Sequence, residues 1–143
     1  MKKILFLCGN NASRSQMAEG IARKELGDRY EVYSAGMQPM KIHPTAVEVM
    51  KEVGVDLSGQ RSKSINEVPW REMDVIVTLC GTSSNGLPPL PPQVKRLHWP
   101  VPDPATMTSH YGFKKSAEGK QAAFKEIRDL LQKKIDEFKQ NPS

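Results

Sequence analysis

The stretch Lys3-Ile4-Leu5-Phe6-Leu7-Cys8-Gly9-Asn10-Asn11-Ala12-Ser13-Arg14-Ser15 decides the fold. Lys3 to Leu7 is a short, nearly continuous apolar run, the pattern of a strand buried on both faces. Gly9-Asn10-Asn11 breaks it. From about Ser13 to Leu26, residues Met17, Ala18, Ile21, Ala22 and Leu26 then recur on one helical face, with Gly27 at the C-cap position. Further on, Glu31 to Ala35 reads as a second strand. Pro44 opens a second helix whose stripe is Ala46, Val47, Met50 and Val53, and Gly54 ends it. Asp74 to Leu79 is a third buried strand and Val94 to His98 a short fourth. Phe124, Ile127, Leu131, Ile135 and Phe138 mark a last helix from about Ser116 to Phe138. This alternation predicts an α/β fold, a three-layer sandwich with a four-stranded parallel sheet of order 2-1-3-4 and helices on both faces. Residues 1–143 read as a single domain. Seven of the eleven prolines fall between Pro88 and Pro104, which predicts a stiff surface loop.

Composition narrows the function classes. The chain has 143 residues, 38% hydrophobic and 26% charged, which is globular rather than disordered. A net charge of +5 favours anions without choosing among them. Aromatic residues are only 6% and do not interleave with the basic ones, so no base-stacking surface for nucleic acid is expected. No stretch reaches the roughly 20 apolar residues of a membrane span. The apolar run after Lys2-Lys3 stops at Cys8, short of the roughly 7–15 residues of a signal-peptide core, so a cytoplasmic protein is expected. Two cysteines 72 positions apart do not make a secreted disulfide framework.

The chemistry concentrates in Cys8 to Ser15. A loop of about six residues between a buried strand and a helix turns successive backbone N–H groups toward one point. The helix N-terminus adds its positive end. Arg14 in the first turn can grip two oxygens of the same ligand. The result is a cradle for a tetrahedral oxyanion, formed by Gly9, Asn10, Asn11, Ala12 and Ser13, with the Cys8 thiol beneath it. A cysteine in such a field has its pKa lowered from about 8.5 toward roughly 3.5–7.5, favouring the nucleophilic thiolate. Ser15 can donate a hydrogen bond to that thiolate. Asn10 and Asn11 tolerate the left-handed backbone such a loop needs.

Cys80 follows the third strand as Cys8 follows the first. In the order 2-1-3-4 these strands are neighbours, so both thiols share one edge of the sheet, at the switch point where ligands bind. A structural cysteine closing the strand and a second redox thiol both fit, with Gly81 to Gly86 read as a flexible loop. Asp103, between Pro102 and Pro104, is rigidly held and could protonate a leaving oxygen; an ordinary turn aspartate fits the local sequence better. His43, His98 and His110 show no metal-ligand spacing and read as loop and strand-end residues.

Cys8 to Ser15 with Gln16-Met17-Ala18-Glu19, Ser34-Ala35-Gly36, Thr78-Leu79-Cys80, His98-Trp99 and Asp103-Pro104-Ala105 together resemble the arsenate reductases built on the low-molecular-weight tyrosine phosphatase fold. The resemblance covers nearly the whole chain in order. It implies that Cys8 attacks arsenate held by the loop amides and Arg14, that Ser15 supports the thiolate and that Asn11 braces the loop. It further implies that Asp103 protonates the departing oxygen and that Cys80 resolves the Cys8–arsenic adduct as a Cys8–Cys80 disulfide. Phosphate and sulfate would act as analogues of arsenate. No bound cofactor is implied, only an external thiol, from thioredoxin or from glutathione with glutaredoxin, docking transiently on a monomer.

Two departures matter. Thioredoxin-coupled members carry a third cysteine after the second, where this chain has Leu87. A potassium site in some members matches Asn11, Glu19 and Ser34, but Lys63 stands where an acidic ligand would be, so no metal is expected. The alternative activity is a phosphatase acting on phosphotyrosine or small esters. Ala105 and Thr106, where such phosphatases carry tyrosines, speak against it. An alternative of another class is a non-catalytic thiol switch.

Overall fold

Alternation along the first strand divides the core in two. Ile4, Phe6 and Cys8 point to one side and Leu5 and Leu7 to the other. The computed structural model of the chain describes residues 1–104 and 117–142. Its strands are β1 (Lys2–Cys8), β2 (Tyr30–Gly36), β3 (Val75–Thr78) and β4 (Lys95–His98). They form one parallel sheet in the order β2-β1-β3-β4, the order read from the sequence. β1 is central, and its end is level with Gly36 on one side and Thr78 on the other.

The helices are α1 (Arg14–Leu26), α2 (Pro44–Lys51), α3 (Gly81–Asn85) and α4 (Ala117–Gln140). Met17 and Ile21 of α1, Met50 of α2 and Phe124, Leu131 and Ile135 of α4 pack on the Ile4–Phe6–Cys8 side. Trp99 lies 6.0 Å from both Phe6 and Phe138, ring to ring, and closes the end of α4 onto the sheet. The Leu5–Leu7 side is covered by Ile65 and Val68 around one 3₁₀ turn, by Trp70 of a second, and by Leu87 and Leu90 of the proline-rich segment. Three-residue turns are too short to leave a period in the sequence.

Local readings differ in three places. The helix from Pro44 stops at Lys51, so Val53 leaves the expected stripe and is 38% exposed, while Val49 is buried in its stead. Gly81 to Gly86, read as a flexible loop, instead contains α3. Gly27 is the C-cap of α1 as read, with one difference: it caps in a right-handed conformation, and the positive φ falls at Gly54 (+79°) beyond α2. Ser116, read as the start of the last helix, lies outside the described residues, as do Ala105, Thr106 and His110. Among the described residues no helix is long and apolar enough to cross a membrane.

Leu131 is fully buried in the cluster joining α4 to α1 and the sheet. Leu131→Ala is expected to cost about 2–5 kcal/mol, read as a lower denaturant midpoint at unchanged slope.

Candidate active site

The loop after β1 is shaped by where its carbonyls go. Gly9 C=O accepts from Gln38 N–H (2.8 Å), Asn10 C=O from Met40 N–H (2.8 Å) and Ala12 C=O from His43 N–H (2.9 Å). Asn11 C=O accepts from the Gln16 side-chain amide (3.0 Å), and Ser13 C=O from Met17 N–H in the first turn of α1 (2.9 Å). Every carbonyl from 9 to 13 is thus held outward. In a trans peptide the N–H of the next residue points the opposite way, so the amides of 10 to 14 turn inward. That is the geometry of an anion nest at a helix N-terminus. Asn11 alone among the described non-glycine residues has a positive φ, +49°, so of the two asparagines that tolerate the left-handed region only Asn11 uses it. The loop also lies hard against Gly36, where a Cβ would come within 2.6 Å of Asn11 N and 2.8 Å of the Asn10 carbonyl carbon.

Cys8 Sγ lies 2.9 Å from Ser15 Oγ. The direction of that bond follows from its neighbours. Asn11 Oδ1 accepts from Lys63 N–H (2.8 Å) and from Gln16 Nε2 (2.8 Å), which fixes the amide, so Nδ2 donates to Ser15 Oγ (2.7 Å) and Ser34 Oγ (3.0 Å). With Ser15 Oγ already accepting, its proton is free to point at the Cys8 sulfur. Ser34 Oγ in turn donates to Glu19 Oε1 at 2.5 Å. Glu19 is 98% buried and is met on its other oxygen by Arg23 Nε (2.9 Å), with Lys63 Nζ 3.7 Å from Oε1. Burial pushes the Lys63 ammonium below its ordinary pKa, and Glu19 opposes that shift. Asn11, Glu19, Ser34 and Lys63 are therefore one cluster, as the sequence resemblance suggested.

Arg14 and the proline-flanked segment meet at the same edge. Trp99 N–H pairs with Thr78 C=O and Val101 N–H with Leu79 C=O, both at 2.9 Å, so the chain beyond β4 stays beside β3. Arg14 donates to Val101 C=O (3.1 Å). Asp103, half-buried, is within electrostatic reach of His43. His43 is more than a loop residue: it caps α2 by accepting from Thr45 N–H (3.1 Å), stacks 4.7 Å from Phe124, and its backbone holds the loop at Ala12. Burial, then the charge of Lys120, set its imidazole below the usual pKa.

Cys80 sits at the start of α3, beside the loop. Burial pushes its thiol up. The Ser83 hydroxyl and N–H, the Arg14 charge and the Gly9 N–H together outweigh that effect, and the thiol sits below its ordinary pKa. The bracing residues Gln16, Gln38, Met40 and Gln60 act through backbone or amide groups and Ser62 through its hydroxyl on Asn10 C=O (3.2 Å), and no residue-type pattern in the sequence marks them. Among the described residues no group of three His, Cys, Asp or Glu side chains could hold a metal.

Residues 3–141 match the model of the low molecular weight phosphotyrosine protein phosphatase family. The chain belongs to that family. Within it, the chain groups with the arsenate reductases. An arsenate reductase of Bacillus subtilis (strain 168) is 44% identical over 137 residues, 96% of this chain and 94% of that protein. A solved arsenate reductase in its oxidized state superposes with a TM-score of 0.81 at 32% identity, covering 100% of both chains. Another, in a phosphate-binding state, superposes at 0.76 with 33% identity, again over 100% of both.

Because the atoms nearest a Cβ at position 36 are loop backbone, they cannot rotate away. Gly36→Ala is expected to displace the nest and weaken phosphate binding by on the order of 10–100-fold, measured by titration calorimetry.

Proposed function

We propose that the protein reduces arsenate to arsenite with two thiols of its own. The observation that carries this reading is the position of Cys80, a thiol of lowered pKa set beside the cysteine loop because its neighbour Leu79 N–H donates to Leu7 C=O (2.8 Å), the residue before Cys8. A phosphate-ester hydrolase has no use for a second thiol there.

The reading proceeds in two balanced steps. The inward amides of residues 10 to 14 and the Arg14 guanidinium hold the arsenate oxygens. The Cys8 thiolate, supported by Ser15, forms an S–As bond, and one oxygen leaves as water after taking a proton from Asp103. The Cys80 thiolate then attacks the Cys8 sulfur. The S–S bond forms as the S–As bond breaks, and the electron pair of that bond stays on arsenic, which passes from As(V) to As(III). The two sulfurs have lost two electrons, and arsenite departs. An external thiol, from thioredoxin or from glutathione with glutaredoxin, then reduces the Cys8–Cys80 disulfide by exchange. Leu87 leaves no third cysteine to carry the disulfide outward, so the external thiol attacks this bond directly. The Lys63 ammonium serves Glu19 as a built-in counter-ion, and no metal is required. Residues 1–143 act as one domain and as a monomer.

Cys80→Ser is expected to abolish steady-state arsenite production while hydrolysis of a chromogenic phosphate ester persists, and Cys8→Ser to abolish both. Both activities unchanged in Cys80→Ser would make Cys80 structural, ester hydrolysis without arsenate reduction in the unaltered chain would return the protein to the phosphatase class, and disulfide formation without turnover would make it a thiol switch. Asp103→Asn is expected to lower kcat of ester hydrolysis by roughly 10²–10⁴, most strongly where the leaving group is poor. Supplying thioredoxin and glutaredoxin–glutathione in separate coupled assays identifies the reductant.

A further inference from the structure

Ser83 takes no part in the steps above, yet it is a fully buried polar side chain at the sheet edge where they occur. Its hydroxyl oxygen lies 2.9 Å from Cys80 C=O, 3.3 Å from Leu7 C=O and 3.4 Å from Cys80 Sγ, and its backbone N–H donates to Cys80 Sγ at 3.4 Å. Cys80 precedes α3, so its sulfur occupies the place of an N-cap side-chain acceptor, three residues before the N–H it receives. Leu7 is the residue before the nucleophile, so one hydroxyl ties both thiol-bearing segments together.

A serine hydroxyl has one proton and two acceptor sites. While Cys80 is a thiol, its S–H donates to Ser83 Oγ, and the Ser83 proton turns to a carbonyl, Cys80 C=O or Leu7 C=O. When the sulfur ionises it no longer donates, and the Ser83 proton is free to swing onto it. The two arrangements differ by rotation about one C–O bond, with no heavy atom displaced. Once the sulfur is consumed in an S–S bond it is a poor acceptor, and the proton returns to the carbonyls.

We infer that Ser83 is a positioning residue for the resolving thiol, fixing the Cys80 sulfur beside the cysteine loop and turning its hydroxyl proton onto the sulfur when the thiolate forms. The inference rests on the reading of Cys80 as the resolving thiol. Few charged groups compete for the effect. α1 presents Arg14 and β1 presents Cys8, with Lys2 and Lys3 at the opposite end of that strand. β3 presents no charged residue. On β4, Arg96 is engaged by Ser84 C=O (2.7 Å) and Ser84 Oγ (2.8 Å), and His98 by Thr78 Oγ1 (2.7 Å). Asp103, on the segment beyond β4, has His43 as its electrostatic neighbour.

The test reads Cys80 alone. In full-length protein carrying Cys8→Ser, the only remaining thiol is Cys80, and its rate of alkylation by iodoacetamide is followed against pH. Adding Ser83→Ala is expected to move the inflection upward by about one pH unit, a roughly tenfold smaller thiolate fraction at neutral pH. Ser83→Thr, which keeps the hydroxyl, is expected to restore the original profile. In the chain with both cysteines, Ser83→Ala is expected to lower kcat for arsenate by a similar factor, and Ser83→Thr to recover it. Superimposable alkylation profiles for Ser83 and Ser83→Ala overturn the inference. Should Ser83→Ala fail to fold, Ser83→Gly, which also lacks the hydroxyl, takes its place in the Cys8→Ser chain. The same upward shift sustains the inference, and an unmoved inflection overturns it. Alkylation involves no arsenic, so its result is separate from that of the Cys80→Ser turnover assay, whose failure removes the resolving role of Cys80 instead.

Discussion

The outward anchoring of five consecutive carbonyls, Gly9 to Ser13, is the constraint on which the site depends. A peptide plane has two ends, and holding one end fixes the other. Because Gln38, Met40, His43, Gln16 and Met17 occupy the outward ends, the inner ends are N–H groups with a common focus. Little of this is the work of the loop's own side chains. It comes from the strand order, which lays residues 36 to 43 alongside the loop, and from Gly36, whose missing Cβ allows that approach. The inward-facing geometry of the loop is thereby a property of the backbone, set by the fold rather than by any ligand.

Behind the loop lies a buried polar cluster. Glu19 in a nearly dry position would cost several kcal/mol if left unpaired. It is met by Arg23, Ser34 and Lys63, and through Ser34 it faces Asn11. Each member is satisfied in a single direction of donation, from Lys63 N–H to Asn11, from Asn11 to the two serines, and from Ser34 to Glu19. That leaves the Ser15 proton nowhere better to go than the Cys8 sulfur. Chemistry at the sulfur and packing beneath the loop are two ends of one hydrogen-bond chain.

Much of the fold was legible. β1 and β3 announce themselves as short apolar runs, α1 and α4 hold their stripes over several turns, and alternation with right-handed crossover yields the sheet order. The failures are local. Val53 continues the apolar spacing after the chain has turned away at Lys51, so spacing alone overextends α2. Gly81-Thr82-Ser83-Ser84-Asn85 has the composition of a loop and forms the α3 helix only where β1 and β3 support it. The 3₁₀ turns that cover the second face are shorter than any period.

By itself the sequence determined the elements, their parallel order, and the pairing of a thiol with an arginine in the first strand–helix turn, because each of these is written in residue types at short range. Only the tertiary structure decided that Asn11 rather than Asn10 takes the left-handed conformation, which groups turn the loop's carbonyls outward, and that Ser83 lies against Cys80 and Leu7 at once. Those facts depend on backbone atoms and on contacts between residues distant along the chain, such as Ser83 and Leu7, and neither leaves a signature in the order of side chains.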